Sequence, residues 1–103
     1  MLTCHLAENT WRQEIVKEKY HATAIAYLHQ NRLLNPGVIG SHVVYASEDE
    51  VIQLAQTDTK VVNTPLCEMK IQDGIAPIPE MVRRGVTVCL GTDGAMWNNS
   101  NDI

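Results

Sequence analysis

Four side chains in this sequence have the chemistry of a site: His5, Glu8, His42 and Asp93. His5 and Glu8 sit three residues apart in His5-Leu6-Ala7-Glu8, just after a short apolar run. A neutral imidazole ligates zinc or iron, and a carboxylate beside it can move protons. A solvated helix start could carry the same pair, so the spacing alone leaves both readings open. His42 falls near the end of the strand-like run Val38 to Val44. There it is either a satisfied polar group or a ligand. Asp93 lies in Gly91-Thr92-Asp93-Gly94, where the glycines permit a tight turn that points the carboxylate back over a sheet edge. A plain turn aspartate is the alternative.

The elements that must position these residues alternate. Met1 to Cys4 is a short apolar run ending at His5, and Asn9 to Leu34 reads as one helix, with Thr10 and Gln13 as a capping box. Asn35-Pro36-Gly37 stops it. After the run Val38 to Val44, Ser47 predicts an N-cap with Glu50 three residues on, opening a helix that ends near Thr57. Lys60 to Thr64 is the next strand, and Pro65 to Ile75 reads as a loop. Pro77-Ile78-Pro79 opens a helix that closes at Gly85, and Val86 to Leu90 is the last strand. The order β-α-β-α-β-α-β predicts an α/β fold with a parallel sheet. His5, His42, Asn63 and Asp93 then all stand at C-terminal strand ends, the edge where α/β barrels and open α/β sheets build their sites. Nitrogen and oxygen ligands converging there suit a divalent metal that activates water. His5 and Asp93 are the ligand candidates, with His42 as a third. His21 and His29 fall on the polar face of the long helix, and Trp97 offers either a stacking surface or part of a frayed end.

Composition narrows the remaining classes. The chain has 103 residues, 45% hydrophobic and 19% charged, which is an ordinary globular mixture. It lacks Phe and has two Trp and three Tyr, so its core must be aliphatic. A net charge of −4 without a basic stripe argues against nucleic acid as a partner. No apolar run approaches the ~20 residues of a membrane span, and no secretory signal opens the sequence. Cys4, Cys67 and Cys89 match no zinc-knuckle or redox spacing. They read as small apolar fillers in strands or loops, kept reduced in a cytoplasmic setting.

Four motifs occur in order: His5-Leu6-Ala7-Glu8; Gly40-Ser41-His42; Met69-Lys70 with Gly74-Ile75-Ala76-Pro77-Ile78-Pro79-Glu80; and Gly91-Thr92-Asp93-Gly94-Ala95 with Asn98-Asn99-Ser100. Together they resemble the amidohydrolase superfamily, in its cytosine-deaminase-like and triazine-hydrolase group. The branch holding methylthioadenosine/S-adenosylhomocysteine deaminases is especially similar. The resemblance implies a (β/α)8 TIM barrel with one metal ion, zinc or iron, of which residues 1–103 would form the C-terminal half, strands five to eight. It further implies that His5 and Asp93 bind the metal and that Glu8 carries a proton to the leaving nitrogen. His42 would orient the substrate or the attacking water, and Asp93 would also accept a proton.

Two departures stand out. The superfamily's His-x-His pair from strand one is absent from this sequence. Where relatives often read His-Asn-Pro and then Ser-Asn-Met, this chain reads Asn63-Thr64-Pro65 and then Cys67-Glu68-Met69. Four β/α units also leave strand edges open, which predicts an oligomer or a partner carrying the N-terminal half, and suggests a piece of a longer enzyme. The expected function is hydrolytic deamination of a heteroaromatic ring such as a purine or triazine. The alternatives are an inactive fragment or oligomerising module, and a chlorohydrolase acting on a triazine-like ring. A nucleotide-binding open sheet is disfavoured, since neither GxGxxG nor a P-loop occurs.

Overall fold

The computed structural model describes residues 1–103. Its elements are β1 (Leu2–Leu6), α1 (Thr10–Tyr20), α2 (Ala24–Gln30), β2 (Val38–His42), α3 (Glu48–Gln56), β3 (Lys60–Asn63), α4 (Pro65–Ile71), α5 (Ile78–Arg83), β4 (Val88–Leu90) and α6 (Ala95–Asn98). The four strands form one parallel sheet in the order β1-β2-β3-β4. Each new strand is added on the same side of the last. A barrel wall grows by the same progression, whereas a doubly wound sheet reverses its order at a switch point.

Register explains which face is covered. Cys4, Gly40, Val61 and Val88 lie side by side across the sheet, as do His5, Ser41, Val62 and Cys89 in the next row. Side chains alternate between faces along a strand, so the two rows point opposite ways. Gly40 and Val61 in the first row are buried, while His5 and Cys89 in the second are exposed. The aliphatic core lies on the first side, where Leu6, Val38, Val51, Leu54, Val61 and Met81 pack together between sheet and helices. Gly40 has a steric reason to be glycine. A Cβ there would lie 2.9 Å from Leu6 Cδ2 and 3.3 Å from Val43 Cγ2.

Local signals hold where capping chemistry is complete. Ser47 caps α3, with its hydroxyl accepting from the Glu50 N–H and the Glu50 carboxylate accepting from the Ser47 N–H. Glu50 also accepts from the Thr23 hydroxyl, which ties the start of α2 to α3. Gly85 follows α5 with φ 84°, as a helix-terminating glycine should.

Several expectations need correction. The helix expected over Asn9 to Leu34 is two helices. His21 takes a left-handed conformation (φ 56°), its N–H bonds the Lys17 carbonyl, and Thr23 caps a new start by accepting from the Ala26 N–H. The cap of α1 is Asn9, which accepts from the Arg12 N–H, in place of the Thr10–Gln13 box. Gln13 instead bridges the Tyr45 carbonyl and the Ala24 N–H. The segment expected as a loop begins with α4, seven residues with Pro65 in the first turn. The last strand starts at Val88, two residues later than expected. The cysteines are not uniform fillers. Cys4 is half-buried in β1, Cys89 is exposed in β4, and Cys67 is buried in α4. No helix is long and apolar enough to cross a membrane.

Candidate active site

The C-terminal ends of the strands gather the residues singled out by type. His5 lies in β1, Glu8 two residues beyond it, His42 at the last position of β2, and Asp93 in the turn after β4. The backbone is bent to bring them together. Ala7, His42, Val43 and Asp93 have φ values of 48°, 73°, 54° and 58°, a region that disfavours L side chains. These residues flank the site, where local strain is tolerated because surrounding packing enforces it. The regular strand within the run Val38 to Val44 ends at His42, where the backbone turns left-handed, although the Tyr45 N–H still reaches the Ala7 carbonyl.

His42 is the hub. It is buried, and its ring meets that of His5 edge-on with centroids 4.8 Å apart. Its Nε2 lies 3.7 Å from Glu8 Oε1 and 3.8 Å from Asp93 Oδ2. Both separations exceed a direct hydrogen bond, so the three atoms frame a gap. Burial disfavours the charged imidazole. The Glu68 carboxylate, 3.6 Å from Nδ1, and the charges of Glu8 and Asp93 outweigh it and raise the His42 pKa above its ordinary value.

Each carboxylate has its own anchors. Glu8 Oε2 accepts from Arg12 Nη1 at 2.5 Å and lies 3.4 Å from His5 Nδ1. Asp93 accepts from its neighbour's Gly94 N–H on Oδ1 at 2.6 Å and from the Cys67 thiol on Oδ2 at 3.2 Å. Burial pushes the Asp93 carboxyl up, but these two donors and the two imidazoles hold it below the usual carboxylate range. Burial together with Asp93 pushes the Cys67 thiol up to about 12, so this sulfur is a proton donor and no nucleophile near neutral pH.

Four participants were missed by the sequence reading as site residues: Arg12, Thr64, Cys67 and Glu68. Arg12 had a usable signal, since it stands one helical turn beyond Glu8. Glu68 is buried within α4 and accepts from the Asn63 amide at 2.7 Å and from the Thr64 N–H at 3.1 Å. Burial opposes its ionisation, yet the His42 imidazole and these donors lower its pKa. Reading residues 65–75 as a loop hid its proximity to the site. Trp97, expected as a stacking surface or a frayed end, lies in α6 and is partly exposed. His21 and His29 sit at the ends of α1 and α2.

The donor set fits a divalent metal. Ligand atoms from His5, Glu8 and His42 all lie within 4.8 Å of one another, and Asp93 faces the same gap. Imidazole nitrogens and carboxylate oxygens suit zinc. A recess of about 170 Å³ opens here, lined by His5, Ser41, His42, Thr64 and Asp93 among others. A larger one, about 540 Å³ between α1, α2 and α3, contains no imidazole or thiol. The chemistry therefore concentrates in the smaller recess.

The family described as the amidohydrolase family matches residues 1–103. The chain belongs to the amidohydrolase family. Among other amidohydrolases, it is 38% identical over 100 residues to a 5-methylthioadenosine/S-adenosylhomocysteine deaminase of Aquifex aeolicus, covering 97% of this chain and 23% of that protein. It is 37% identical to a 5'-deoxyadenosine deaminase of Methanopyrus kandleri, covering 96% of this chain and 23% of that one. The fold superposes on a zinc-bound adenosine deaminase from Xanthomonas campestris with TM-score 0.93 and 27% identity, over 97% of this chain and 23% of that chain. A zinc complex of atrazine chlorohydrolase from Arthrobacter aurescens superposes with TM-score 0.92 at 22% identity, over 99% of this chain and 22% of that chain, a likeness of fold alone. The chain thus spans about a quarter of the length of these amidohydrolases.

Proposed function

We propose that this amidohydrolase segment forms part of a metal-dependent site for hydrolytic deamination of a purine, with residues 1–103 as strands five to eight of a TIM barrel. The observation that carries the reading is the convergence of His5, Glu8, His42 and Asp93 around one gap at the strand ends. The relatives named for adenine-nucleoside deamination support the purine as substrate class. Residues 1–103 are read as one structural unit, with further β/α units, from the same polypeptide or another, completing both wall and ligand set. The row His5–Ser41–Val62–Cys89, exposed at its two ends and half-buried between, is the face those units would cover.

His5 and Asp93 would hold the metal, zinc or iron. Bound there, it would supply Lewis acidity that brings the pKa of water toward ~7. Water adds to the ring carbon that bears the amino group, the C–N bond breaks, and ammonia leaves a ring carbonyl behind. Glu8, held by Arg12, carries a proton to the departing nitrogen. His42 orients the water or the ring through Nε2, and Asp93 accepts a proton from the attacking water.

Ammonia release from adenine nucleosides, measured on the full-length protein with its zinc content, tests this reading. Turnover that disappears in Glu8→Gln supports it. Chloride release from a chlorotriazine, without ammonia release from any purine, would replace deamination with halide displacement. An inert protein without metal would leave an assembly module as the surviving reading.

A further inference from the structure

The side of His42 that faces away from the gap is served by two residues with no place in the mechanism above. Thr64 Oγ1 lies 2.9 Å from His42 Nδ1 and 3.2 Å from Glu68 Oε1, and all three residues are buried. Glu68 is ionised and can only accept. Its Oε1 takes the Thr64 N–H and its Oε2 takes the Asn63 amide, so the carboxylate is fixed on both oxygens. The Thr64 hydroxyl has a single proton. If that proton pointed to Nδ1, the Thr64 oxygen would face Glu68 Oε1 lone pair to lone pair at 3.2 Å in a buried setting, a costly arrangement. If it points to Glu68, the Thr64 lone pair is free to accept from an Nδ1–H. Only the second arrangement satisfies all three groups.

We propose that Glu68, acting through the Thr64 hydroxyl, is a positioning residue that keeps the His42 proton on Nδ1 and turns the Nε2 lone pair into the gap between Glu8 and Asp93. Above its raised pKa, the neutral His42 held in this way accepts a hydrogen bond at the site, which suits it to orienting water. The chain of carboxylate, hydroxyl and imidazole is built by Thr64 and Glu68. It rests on the proposed role of His42, but the contact itself stands on the geometry.

The test is made on the full-length protein, stripped of metal and labelled with ¹⁵N in its histidines. Nitrogen shifts of His42, followed with rising pH until the ring is neutral and assigned by loss of the signal in His42→Gln, report which nitrogen keeps the proton. The expected result is Nδ1–H in the parent and in Thr64→Ser, and a mixed or Nε2–H tautomer in Thr64→Val and in Glu68→Gln. An Nε2–H tautomer in the parent, or an unchanged spectrum in both Thr64→Val and Glu68→Gln, overturns the proposal. Should Thr64→Val fail to fold, the parent and Glu68→Gln spectra still decide. With zinc restored, Thr64→Val should lose roughly 10–100-fold in turnover while Thr64→Ser keeps it. Failure of the deamination reading would show as a parent that releases no ammonia, with the tautomer result intact.

Discussion

Arg12 grips Glu8 across one turn of chain, with Nη1 2.5 Å from Oε2, while Oε1 of the same carboxylate remains directed at His42 Nε2 from 3.7 Å. One oxygen is anchored and the other is left for work. A carboxylate that ferries protons needs that asymmetry, because its position must survive each change of protonation.

Removing the anchor should therefore differ from removing the carboxylate. Glu8→Gln is expected to lower turnover by about 10²–10⁴-fold, the usual range for losing a general acid–base group. Arg12→Met should lower it less and leave zinc content unchanged. Steady-state ammonia release and metal analysis on both variants check this. An Arg12→Met protein as impaired as Glu8→Gln would mean that Arg12 takes part directly.

Zinc content should follow His5 and Asp93. His5→Ala and Asp93→Ala are each expected to lose most of the bound metal, while Cys89→Ser, on the same exposed face, keeps it. Metal analysis of protein purified without chelator decides the matter. Full occupancy in both variants would remove these residues from the ligand set.

Acid stability should bear the mark of Glu68. Its folded pKa lies below that of the unfolded chain, so its contribution is present above the unfolded pKa and disappears as pH falls through the folded value. Urea unfolding of Glu68→Gln should show less loss between pH 5 and acid than the parent does. Near neutral pH the substitution should cost about 1–3 kcal/mol, since an amide accepts less well from the buried Thr64 and Asn63 donors. Equal acid sensitivity in parent and variant would refute the assignment.

Gly40→Ala places a methyl group against Leu6 and Val43 and is expected to cost about 1–3 kcal/mol by overpacking. Ser47→Ala removes one half of a complete capping box and should cost about 1 kcal/mol. Thermal or urea melts measure both. A neutral Gly40→Ala would show that the Leu6 and Val43 side chains give way without penalty.

The legible parts of this molecule were those set by short-range chemistry. Ser47 and Glu50 announce α3 because both halves of the cap lie within four residues. The four strands and their lip residues were readable from apolar runs ending in polar side chains. The break at His21 was obscured because apolar spacing continues across it, and only the left-handed turn and the Thr23 cap reveal two helices. α4 escaped because seven residues are too few to show a period, although Pro65 marked its first turn. Its concealment also hid Cys67 and Glu68, whose partners His42 and Asp93 are brought near only by strand pairing. Charge spacing along the chain cannot report such contacts.

The order β1-β2-β3-β4 assigns His5, His42 and Asp93 to three separate β/α units, while the row Cys4–Gly40–Val61–Val88 holds those units together from the opposite face. The proposed chemistry and the cohesion thus fall to different residues, the first at the strand ends and the second within the strands. A substitution at the rim can redirect reactivity without disturbing the wall, and a change in the wall can adjust stability without touching the reactive groups. This division is consistent with a wall whose fold persists in chains of widely different sequence. The scaffold is portable, and its repertoire is written a few side chains at a time along a single edge.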